Sequence, residues 1–135
     1  MKRRTWITGI LLVLAVSIVA VTWLPRCMVS IHQQNVSLEL IQWREEHGVV
    51  TTWREAGQTA GMLEYIQNYY VPSGGYRGTR GSEQRLEEER AKTSKAFVAG
   101  LQRFTGEDFG TDSEQWREYV RAHKNDEPRE SASAP

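Results

Sequence analysis

The run from Trp6 to Leu24, WITGILLVLAVSIVAVTWL, holds nineteen consecutive residues without a charge. As a helix rising about 1.5 Å per residue it spans roughly 28 Å, close to the hydrocarbon thickness of a bilayer. A segment of this length and composition reads as a transmembrane helix, which constrains the chain more than any other feature. Trp6 and Trp23 stand at its two ends, where amphipathic rings favour the headgroup boundary, and Pro25 is expected to stop the helix just beyond. Lys2, Arg3 and Arg4 precede the span and only Arg26 follows closely, so the positive-inside rule puts the N-terminus in the cytoplasm and the rest of the chain outside.

A cleaved signal peptide has the same basic start but needs a shorter apolar core and a small-x-small site. Ile18-Val19-Ala20 is a poor one, and the apolar run continues past it to Leu24, so an uncleaved anchor is the expectation. Lipid attachment at Cys27 is disfavoured by the bulky, charged Arg26 directly before it.

Beyond Cys27, 13 basic residues face all 17 acidic ones, a net charge of −4. A mildly acidic domain is poorly suited to nucleic acid, because neutralising phosphates needs a basic face. The 135 residues leave room for one compact domain of about a hundred residues after the anchor. Cys27 is the only cysteine, which excludes an internal disulfide framework and any multi-cysteine zinc site. Its plain reading is a spare thiol at the membrane surface; the sharper one is an intermolecular disulfide joining a homodimer.

After a juxtamembrane connector over 25–36, Ser37 is expected to cap a helix running to about His47, with Gly48 as a left-handed stop and Val36, Leu40 and Trp43 on one face. Thr52 and Glu55 fit a capping box opening a second helix to Tyr70, weakened by Gly57 and Gly61. Its apolar stripe takes in Trp53, Ala56, Ala60 and Leu63. VPSGGYRGTRG over 71–81 holds four glycines and a proline and reads as a loop. A third helix is expected from Ser82, burying Phe97, Val98, Leu101 and Phe104, and a fourth from the cap Asp112 to about Ala122. Residues 124–135 read as a disordered, solvated tail.

No catalytic constellation emerges from the sequence. His32, His47 and His123 lack metal-ligand spacing and read as surface histidines, and no metal or other cofactor is expected. The carboxylate groups Glu45/Glu46 and Glu87/Glu88/Glu89 read as solvated faces. Gly75, Gly78 and Gly81 precede a helix as an anion-cradling loop would, but the acidic first turn would repel phosphate. Around that loop Tyr69, Tyr70, Tyr76, Arg77 and Arg80 form the candidate partner contact. The triplet Trp-Arg-Glu, at Trp43, Trp53 and Trp116, shows no period and fits helices with Trp inward and its neighbours toward water.

Leu101 to Tyr119, LQRFTGEDFGTDSEQWREY, is the most distinctive stretch. It resembles a segment that recurs in bacterial HEAT-like-repeat proteins, Leu-x-x-Leu-Thr-Gly-x-x-Phe-Gly-x-Asp followed by x-x-x-Trp-x-x-aromatic, with Phe104 in place of the usual Leu. The resemblance implies a helix, loop and helix unit in which Gly106, Phe109, Gly110, Asp112 and Trp116 serve packing, and it carries no catalytic residue. No repeat of solenoid length is visible elsewhere.

The expected protein is all-α: residues 1–5 in the cytoplasm, a transmembrane helix over 6–24, the connector, and an extracytoplasmic domain of about four helices over 37–123. Its expected role is protein interaction or assembly at the bacterial cell envelope, with the bilayer and another envelope protein as partners. The alternative is an enzyme or enzyme subunit with a pocket beside the glycine-rich loop.

Overall fold

The computed structural model describes residues 2–68 and 77–125, with side chains from Trp6 onward. Tyr69, Tyr70, Tyr76, most of the glycine-rich loop and most of the expected tail lie outside the described residues. Four helices make up the described fold: α1 Lys2–His47, α2 Trp53–Asn68, α3 Arg80–Thr105 and α4 Ser113–His123. No strand occurs among the described residues.

The largest departure from the sequence reading is in α1. One helix of 46 residues runs through Pro25 and through the expected connector at 25–36. Proline removes one backbone bond, to the Val21 carbonyl, and an interior proline costs a helix about 3 kcal/mol. Packing of the following turns offsets that cost, because Ser30, Gln33, Val36, Ser37 and Leu40 are all buried. Ser37 is no cap: its hydroxyl donates to the Gln33 carbonyl at 2.7 Å, inside the helix. The domain boundary expected at 37 therefore falls within a helix, between two buried residues. The upstream part of α1 is long and apolar enough to cross a membrane, and it is exposed in the isolated chain.

The C-terminal half of α1 runs parallel to α3. Ser82 Oγ donates to Gln33 Oε1 at 2.5 Å, Thr93 Oγ1 donates to the Leu40 carbonyl at 3.0 Å, and Gly100 meets Gly48. A Cβ on Gly100 would stand 2.6 Å from the Gly48 carbonyl oxygen, so glycine there lets α3 touch the end of α1. Gly48 itself does not take the left-handed conformation expected of it, since positive φ is confined to Gly106 and Gly110 among the described glycines.

Arg44 of α1 and Glu89 of α3 form an ion pair at 2.9 Å, with Lys92 on the second carboxylate oxygen at 2.8 Å. Glu89 is thus buried, 11 % exposed at its side chain, and is no part of a solvated acidic face. Arg44 likewise turns inward, unlike the water-facing arginine that the triplet reading expected. Hydrogen bonding from Lys92 and then Arg44 holds the Glu89 carboxyl below its ordinary range, against burial, which pulls it up.

α2 returns antiparallel to α3. Its Thr59 hydroxyl donates to the His47 carbonyl at 3.1 Å and so satisfies the end of α1. At the other end of α2, Arg90 of α3 donates to the carbonyls of Ile66 and Gln67 at 3.2 and 3.0 Å. α2 stops at Asn68 rather than Tyr70 and runs unbroken through Gly57 and Gly61. Its capping box is split between two threonines: Thr52 Oγ1 accepts from the Glu55 amide, while Glu55 accepts from both the amide and the hydroxyl of Thr51. α3 begins two residues earlier than expected, at Arg80 with Thr79 as its cap, so Gly81 lies in its first turn and not in a loop.

Candidate functional site

The helix-loop-helix from Leu101 to Tyr119 is a built unit whose turn and cap are held by side-chain and backbone hydrogen bonds. Gly106 closes α3 at φ 79°, its amide donating to the Gln102 carbonyl at 2.9 Å. Asp108 then accepts from the Gly110 amide at 2.9 Å and from Gln102 Nε2 at 2.6 Å, which fixes the turn. Those bonds, the Gly110 amide first, draw its carboxyl below the ordinary range. Gly110, at φ 53°, points its carbonyl at the Trp116 indole, which donates to it at 2.8 Å. Asp112 caps α4, accepting from the amides of Glu114 and Gln115 at 3.1 and 3.0 Å, and its carboxyl is lowered chiefly by the Gln115 amide. Gln115 reciprocates through its side chain, donating to Asp112 Oδ2 at 2.8 Å.

Trp116 is fully buried in the same cluster as Phe97 and Leu101, with Phe104 and Phe109 packed against it. Phe109 meets its ring edge-on at 4.8 Å. Asp108 is the residue sequence reading missed: it falls on an unspecified position of the pattern that the segment resembles. An Asp two residues before a glycine is nonetheless a recognisable turn signal.

α4 packs antiparallel on α2. Gln67 bonds the Thr111 carbonyl and Ser113, Arg117 pairs with Glu64, and His123 stacks on Trp53 with ring centres 5.5 Å apart. His123 also stacks on Tyr119 at 4.1 Å, so it is a packed residue and no free surface histidine. His47, half-buried with its ring edge-on to Phe97 at 6.2 Å, is packed as well.

Between the start of α2 and the end of α4 lies an open groove of about 510 Å³. Trp53, Gly57 and Val120 line it, with Arg54, Arg117, Arg121 and Lys124 around them. Sequence reading did not single it out, because Arg54 lies 63 or more residues from Arg117, Arg121 and Lys124 and the chain's net charge hides all four. Arg54, Arg121 and Lys124 are exposed and make no ion pair with described residues.

Of the residues proposed from sequence, Arg77 and Arg80 are both exposed at the start of α3. They stand beside the Thr79 amide, which donates to Ser30 Oγ at 2.8 Å, only two turns beyond the apolar span. The fold therefore separates Arg77 and Arg80, which lie near the end of the apolar span, from the basic groove near the far end of α1. Among the described residues no group of three or more His, Cys, Asp or Glu converges as a metal site would. No family model, curated protein or solved structure matches the chain.

Proposed function

We propose that this protein is a membrane-tethered interaction or assembly module of the bacterial envelope, with its N-terminus in the cytoplasm and its helical domain outside, binding an acidic segment of another envelope protein. The observation that carries this reading is the groove lined by Arg54, Arg117, Arg121 and Lys124 over an apolar floor of Trp53 and Val120. Cations around an aromatic suit a carboxylate-bearing peptide that also buries one apolar side chain, since arginine and tryptophan are the residues that most often dominate binding energy. Position adds to this. Residues 24 to 47 of one continuous helix carry the groove about 35 Å beyond the apolar span, far from the headgroups of its own membrane. The surface around Arg77 and Arg80, with Tyr69, Tyr70 and Tyr76, is proposed as a second, membrane-proximal contact.

The test is affinity capture with the full chain from detergent-solubilised membranes, comparing wild type with the double variant Arg54→Glu/Arg121→Glu. Both side chains are exposed, so folding should hold, while a co-purifying protein present with wild type should be lost. Identical partner profiles from the two chains would overturn the groove as the binding surface.

A further inference from the structure

From the end of the apolar span onward, α1 keeps a second apolar face that none of the described residues covers. Leu24, Met28, Ile31 and Leu38 are 58 to 67 % exposed, and Asn35, exposed as well, completes the row. Their spacing is 4, 3, 4 and 3 residues, the heptad repeat of a two-stranded coil, and the same alternation runs back from Leu24 through Val21, Ser17, Leu14 and Ile10 to Ile7. The opposite face of the same turns, carrying Ser30, Gln33, Ser37 and Leu40, is the one α3 buries. The exposed row is therefore not a core left open by mistake. It has its own register.

We propose that this row is a self-pairing seam, and that the occupant is a second copy of the chain aligned parallel and in register. Three features select a second copy. Insertion by the same apolar span sets every copy at the same height and in the same direction, so α1 helices that meet in the membrane meet residue for residue. Asn35 then falls opposite Asn35. A carboxamide both donates and accepts, so two of them satisfy each other across an in-register pair, and a lone Asn in such a row is the device that fixes register and strand number. The flanking positions agree: in a parallel pair Gln34 of one copy faces Glu39 of the other and Cys27 faces His32, so no like charges are opposed. Confinement to the membrane plane favours the encounter further. The inference rests on membrane insertion of α1 and is independent of the basic groove.

Oxidative cross-linking of the full chain in native membranes tests it. In a Cys27→Ser background, Ile31→Cys and Leu38→Cys should form a disulfide dimer of twice the chain mass at several times the yield of Glu88→Cys, an exposed position on α3. Asn35→Leu in the same background should shift the Leu38→Cys product toward larger or out-of-register assemblies. A chain lost from carbonate-washed membranes would overturn the anchor and the pairing together. A chain retained there whose seam cysteines cross-link no better than Glu88→Cys would overturn the pairing alone. A product of Leu38→Cys with a different polypeptide, in place of the dimer, would assign the seam to another partner and equally overturn self-pairing.

Discussion

Replacing Trp116 by alanine should lower the stability of the folded part by about 3 to 5 kcal/mol, the usual cost of emptying a buried aromatic site. The ring is fully enclosed, touches Phe109 edge-on and donates its only polar hydrogen to the Gly110 carbonyl. Alanine would leave a cavity between α4 and the α3 end and would orphan a carbonyl held by a left-handed glycine. Since α4 is a helix of 11 residues, too short to persist without packing, its release should follow. Asp112→Ala should cost less, because it removes a solvent-exposed cap and no core volume. Urea denaturation reads both: a shift of the midpoint for Trp116→Ala well beyond that for Asp112→Ala is expected, and an unchanged midpoint for Trp116→Ala would refute its packing role.

A comparably large effect is expected from shortening α1. A soluble fragment over 28–125 keeps Ser30, Gln33 and Val36, whereas one over 37–125 loses them. Burying a valine is worth about 1.5 to 3 kcal/mol, and each lost buried hydrogen bond about 1 kcal/mol more. The shorter fragment gives up Val36, the Ser30 acceptor of the Thr79 amide and the Gln33 acceptor of Ser82. It should therefore be less stable by roughly 3 to 5 kcal/mol, a large part of what a domain this small has. Calorimetry should find a cooperative transition in the 28–125 fragment and a weakened or absent one in the 37–125 fragment. Equal melting temperatures would mean that residues 28–36 contribute nothing to the core.

Where the sequence reading succeeded, the determining forces were local. The cap at Asp112, the left-handed Gly106 and the stripe of Phe97 and Leu101 all follow from chemistry within four or five residues. It failed where distant packing decided. Pro25 looks like a helix end to anything that sees only its neighbours, Ser30 and Gln33 look like part of a connector, and Ser37 looks like a cap. The stretch becomes helix because α3 supplies Thr79 and Ser82 opposite Ser30 and Gln33, an arrangement no local periodicity reveals. Glu89 was likewise hidden in an acidic run, its partner Arg44 being 45 residues away. The groove was invisible for the same reason: only the antiparallel packing of α4 on α2 brings Arg54 near Arg121.

α1 joins the apolar span and the first core helix in one continuous element. Amide hydrogen exchange on the full chain in lipid nanodiscs, read across residues 26–36, tests that continuity. A continuous α1 predicts slow exchange there, comparable with 37–47, because every amide in the stretch donates within the helix and one face is covered by α3. Exchange over 28–36 at the rate of an unstructured chain, between two protected segments, would contradict it and restore a flexible connector between anchor and domain.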